Sequence, residues 1–157
     1  MNKLMQELYP MIAGTHGMRA SLLDALTDAD LAFSPGGQAV PLGALLVEFG
    51  EIEHAYVESF KTFTQDFKYR NPAPGLASSL AQIRAWYQSL DAELEAVLGG
   101  LTDEDLQKTI NRGGFAPAVE VQLQIYLQAL LIFFGKATIY LRAMNRPLPP
   151  MIAEWIG

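Results

Sequence analysis

Leu26-Thr27-Asp28-Ala29-Asp30-Leu31 and Leu101-Thr102-Asp103-Glu104-Asp105-Leu106 are two copies of one phrase. In each, a threonine can accept from the backbone of a helical turn, and the aspartate three residues on can bond back to it. This is the reciprocal pattern of a helix start. The copies lie 75 positions apart. Each is followed by a glycine pair, Gly36-Gly37 and Gly113-Gly114, and then by a proline, Pro41 and Pro117, that opens a long helical pattern. A good capping phrase can recur by itself, but matched punctuation after it points to a duplicated unit of helix, long connection and helix.

Working outward, four segments repeat their apolar residues with helical period: 10–26 with a helical lead-in from Asn2, 41–64, 78–98 and 117–145. Gly99-Gly100 stops the third, and Pro147, Pro149 and Pro150 close the fourth. No stretch alternates for long as a strand would. The expectation is one all-α domain over 1–157, a four-helix bundle with pseudo-two-fold symmetry. Its long connections are 27–40, between helices one and two, and 102–116, between helices three and four. A short connection, with a stiff turn at 71–75, joins the halves.

Composition narrows the chemistry. The 157 residues contain no cysteine and two histidines, His16 and His54. That removes disulfides, thiolate nucleophiles and sulfur-ligated metals, and one chain cannot build a site of three imidazoles. A formal charge of −6 argues against nucleic acid and anionic membrane surfaces as partners. The first residues lack a signal peptide's apolar run, and the longest apolar run, 129–135, is far below the roughly 20 residues that span a bilayer. A soluble cytoplasmic protein with no nucleic-acid or membrane partner is expected.

The stretches 22–31, Ser34-Pro35-Gly36-Gly37, 41–51, Phe133-Phe134-Gly135-Lys136-Ala137, 140–147 and 149–155 together resemble the DinB-like (YfiT-type) family of bacterial four-helix bundles. The resemblance spans nearly the whole chain. It implies that fold and a divalent metal, such as nickel, zinc or manganese, on three histidines. It also implies kinship with transferases or isomerases that use a low-molecular-weight thiol. The family's histidine in helix two falls on Glu48, and the two in helix four fall on Ala129 and Phe133. With all three imidazoles absent, no metal cofactor is expected, because one carboxylate does not hold a transition metal.

The remaining polar residues are weighed by phase. On helix two, Leu42, Leu45, Phe49, Ile52, Tyr56, Phe60 and Phe63 centre one face. Glu51, His54 and Glu58 fall opposite, as a solvated acidic face, and Glu48 sits at the apolar edge. His16 reads as an ordinary helix residue and Trp86 as core. In helix four, Gln122, Ala129, Phe133, Lys136 and Tyr140 share a sector whose one charge is Lys136. Two readings stand. Glu48 and Lys136, with Gln122 or Tyr140, form a polar cluster where the metal would be; or Lys136 snorkels outward and Glu48 is solvated. Residues 125–134 are apolar almost all round the helix, which implies burial on two sides and a homodimer through helix four. The expected role is small-molecule binding or protein interaction rather than catalysis. The alternative is a thiol transferase or isomerase with an altered metal site.

Overall fold

The structure is a computed structural model and describes residues 1–156. It is all-α, with six helices and no strand among the described residues: α1 (Lys3–Glu7), α2 (Tyr9–Asp24), α3 (Leu42–Thr62), α4 (Leu80–Gly100), α5 (Val119–Ala143) and α6 (Pro150–Ile156). The four long helices match the four periodic segments. α1 is the expected lead-in, with Asn2 accepting from the Met5 amide. Gly99 and Gly100 end inside α4 rather than beyond it. Pro149 and Pro150 do more than stop a helix, because Pro150 opens α6, whose Ile152 is buried where α6 packs on α2.

Both copies of the repeated phrase form their reciprocal boxes. The Thr27 amide and hydroxyl donate to Asp30 Oδ2 at 2.8 and 2.9 Å. Those of Thr102 donate to Asp105 Oδ2 at 3.0 and 2.8 Å. The boxes start short 3-10 turns at Asp28–Ala32 and Asp105–Gln107. Asp30 also accepts from Arg146 beyond the end of α5, at 2.8 Å. There Asn145, at φ 55°, turns the chain out of the helix and the Arg146 amide donates to the Leu141 carbonyl, a Schellman ending.

The bundle pairs α2 with α4 and α5, and α3 with α4 and α5. The long connections therefore join helices that lie diagonally across the bundle. Contacts give the directions. Tyr126 of α5 lies on Tyr56 of α3, and farther along α5 Phe133 stacks on Phe49, at a 4.2 Å ring separation, so this pair is antiparallel. Trp86 lies over Gly50 while Lys61 pairs with Glu93, so α3 and α4 run parallel.

A parallel pair needs a connection as long as the helix. Residues 63–79, expected to be short, return along the whole of α3. Phe67 meets Tyr56, Tyr69 stacks on His54 at 3.8 Å, the Asn71 amide donates to Glu51 at 2.9 Å, and Ala77 arrives at Gly43. This strap corrects the reading of Glu51 and His54 as a solvated face: both lie half-buried beneath it.

α5 is long and apolar enough, by length and composition, to cross a membrane, which the seven-residue run understated. Of its most apolar stretch, 44% is buried inside the chain. Core helices of soluble proteins pass the same test.

At Gly43 a Cβ would stand 1.8 Å from the Ala77 carbonyl oxygen, so the strap's arrival requires glycine. Gly43→Ala is expected to lower stability by about 1–3 kcal/mol through overpacking. Gly14→Ala, on an open helix surface, should raise it by about 0.5–1 kcal/mol. Urea denaturation with an unchanged slope checks both.

Candidate functional site

Two places in the bundle carry chemistry. The first is a half-open cleft of about 230 Å³ between α3 and α5. Leu45, Phe49, Ile52 and Tyr56 of α3, Ala129, Ile132 and Phe133 of α5, and Phe67 of the strap supply its apolar lining, with Glu48 and Lys136 as its charged members. It continues toward Glu51 and Arg70 of the strap region. Four of the six candidate residues on helices two and four, Glu48, Ala129, Phe133 and Lys136, thus share one cavity.

The other two do not line it. Tyr140 is buried and donates to the Val40 carbonyl at 2.5 Å, tying α5 to the entry of α3. Its phenol is raised by burial and then by the charge of Glu48. Gln122 lies toward the opposite end of the bundle. It donates to Ser59 at 3.0 Å and to Gln65, and accepts from Arg112 at 2.9 Å. Glu48 and Lys136 are both exposed, and no ion pair joins them among the described residues. The solvated reading describes them better than the paired one.

The second place was not anticipated. At the middle of the bundle Arg19 of α2 is 1% exposed and Glu53 of α3 is fully buried. One guanidinium nitrogen donates to Glu53 Oε2 and the other to Asp91 Oδ1 of α4 at 2.5 Å. The guanidinium also lies 4.1 Å from the ring centre of Tyr87. His16, one turn before Arg19, is buried as well. Its Nδ1 lies 2.8 Å from Asp91 Oδ1, and its Nε2 lies 2.8 Å from the Tyr126 hydroxyl of α5 and 3.6 Å from Glu53 Oε1. The reading of His16 as an ordinary helix residue is thereby corrected: it joins a network to which all four long helices contribute.

The electrostatics follow from depth. Burial pushes the Glu53 carboxyl up, against the pull of Arg19 and His16. Asp91 is nearer water. Its partial burial is outweighed by the His16 hydrogen bond and the Arg19 charge, which bring it down to about 2. Burial opposes the charge of Arg19, but Glu53 together with Tyr126, Asp91 and Tyr87 offsets this and raises it above its ordinary value. Tyr126 is raised well above its ordinary value, first by burial and then by Glu53.

A signal for this network existed. Leu42, Leu46, Phe49, Glu53, Tyr56 and Phe60 follow the 4-3-4-3-4 spacing of a packed seam, and all are buried. Ile12, His16, Arg19 and Leu23 do the same on α2, and Leu26 continues the spacing just beyond it. Two seams each interrupted by charge mark a buried pair.

With this geometry in view, comparison with known proteins fixes the class. The family model of the DinB superfamily matches residues 13–132, and the chain belongs to that superfamily. Among solved structures, the crystal structure of a DinB-like protein, YjoA of Bacillus subtilis, is similar with a TM-score of 0.68. The match covers 86% of this chain and 90% of that one at 14% identity, a likeness of fold. No curated protein matches by sequence.

Removing one member of a buried ion pair strands the other. Arg19→Met is expected to cost about 3–5 kcal/mol at neutral pH, whereas Arg19→Met with Glu53→Leu should recover much of that loss. Equal destabilisation of the single and double variants by urea would contradict a coupled buried pair.

Proposed function

We propose that this DinB-superfamily protein binds a small amphipathic molecule in the cleft between α3 and α5 and does so without the family's three-histidine metal. The observation that carries the reading is the lining. The positions that the family resemblance assigns to histidine hold Glu48, Ala129 and Phe133, and all three face one cavity. One exposed carboxylate amid hydrocarbon does not supply the three or four donors that a divalent metal requires. The same walls suit an apolar body, with Glu48 and Lys136 at hand for a polar end. The volume, below the roughly 300 Å³ at which drug-sized sites begin, calls for a small ligand.

Thermal-shift screening of small organic acids, amines and low-molecular-weight thiols tests this, with and without nickel, zinc or manganese. A true ligand at a hundred times its dissociation constant adds about 2.7 kcal/mol to apparent stability. Ala129→Trp, which fills the cleft, should abolish the gain while leaving the free protein folded. A screen without any cleft-dependent ligand would refute the proposal. Turnover of a thiol substrate only with added metal would favour the transferase reading.

We also propose a homodimer through α5. Leu131, Ile132 and Ile139 are each more than half exposed on one side of this helix, an apolar stripe that a second copy can cover. Sedimentation at micromolar concentration should show a dimer that Ile139→Glu converts to monomer. A wild-type protein that stays monomeric would refute it.

A further inference from the structure

The buried network leaves one atom out. Glu53 Oε2 is held by Arg19, but Oε1 is buried with no hydrogen-bond partner. It faces His16 Nε2 across 3.6 Å. One ligand atom each from His16, Glu53 and Asp91 lie within 4.8 Å of one another. We propose that this cluster is a metal site separate from the cleft, taking one divalent transition ion of the zinc class on His16 Nε2 and Glu53 Oε1, with the Tyr126 hydroxyl as third donor.

Three features support it. Two donors 3.6 Å apart suit a single ion at about 2.0–2.2 Å from each. Asp91 binds the far nitrogen of the same ring at 2.8 Å, the carboxylate–histidine arrangement that fixes a tautomer and turns Nε2 toward a metal. With His16 neutral, as a metal ligand must be, the charges also leave room for a cation: two carboxylates then face one guanidinium, and an uncompensated negative charge in a dry core is costly. Arg19 does not compete for the ligand atoms, because it bonds to Oε2 of Glu53 and to Asp91 and so holds both carboxylates in place. The Tyr126 hydroxyl, 2.8 Å from Nε2, is within reach as a third ligand. Imidazole with carboxylate selects zinc, cobalt or manganese over calcium, which needs six or more oxygens. None of these residues stands at a position that the family resemblance gives to metal. Glu53 is five residues beyond Glu48 on α3, about 7.5 Å along the helix.

Because the site is enclosed, the ion enters as the chain folds, and the test follows that route. The full chain is unfolded in urea with a chelator, refolded with one equivalent of zinc or cobalt, and freed of excess metal by gel filtration. The expected result is about one ion per chain, with the ring signals of His16 shifted in a nitrogen-15 spectrum. His54→Asn and Glu48→Gln should keep the ion. His16→Gln and Glu53→Gln should lose it, and Asp91→Asn should weaken it by about 10–100-fold. A wild-type chain that refolds without metal overturns the proposal. So does an ion that survives His16→Gln, or a shift confined to His54. The spectrum of the wild-type chain, with its two histidines, decides the matter even if the core variants fail to fold.

Discussion

Everything in the bundle is arranged around a guanidinium that cannot reach water. Arg19 is enclosed by four helices, and its charge is tolerable there only because Glu53 and Asp91 meet it from two different helices. Apolar seams can slide past one another by a turn at modest cost. A charge pair at the middle of the seam cannot, since a shift of about 5.4 Å would leave Arg19 and Glu53 buried and unpaired. The network sets the register of α2 against α3 and α4, and Tyr126 adds α5 through His16. Flanking aromatic contacts, Phe49 on Phe133 and Tyr56 on Tyr126, pack outward from that fixed point.

The parallel run of α3 and α4 is the second constraint. A helix of 21 residues is about 31 Å long, so a connection between parallel neighbours must span that length. The strap does so while satisfying itself on the α3 surface. It covers His54 with a tyrosine ring, uses Glu51 as an acceptor and ends where Gly43 has no side chain. One face of α3 packs in the bundle, a second lines the cleft and a third carries the strap, which leaves this helix little free surface.

How much of this the sequence disclosed depends on the residue class. Helices and caps were legible because glycine, proline, threonine and aspartate act locally: the Thr27 and Thr102 boxes form as their spacing predicts. The cavity between Glu48, Ala129, Phe133 and Lys136 was legible through family resemblance and helical phase. The strap was not, because its path depends on the relative direction of α3 and α4, which no local pattern encodes. The buried network was missed for a different reason. A pattern built on apolar residues alone passes over Glu53 and Arg19 and centres α3's inner face toward Ile52, although the seam spacing runs through Glu53. Tyr140 and Gln122 share a helical sector with the cleft residues yet stand at different heights, a distance that phase alone ignores.

The strap also separates two kinds of evolutionary freedom. Phe67 and Arg70, which border the cleft, belong to a connection rather than to a bundle helix, and both are exposed. Connections accept substitution and changes of length more readily than packed helices. The mouth of the cavity can therefore diversify while the charged centre, held by different residues on different elements, stays as it is. Changes at Phe67 and Arg70 would reshape that mouth with no cost to the register that Arg19 and Glu53 maintain.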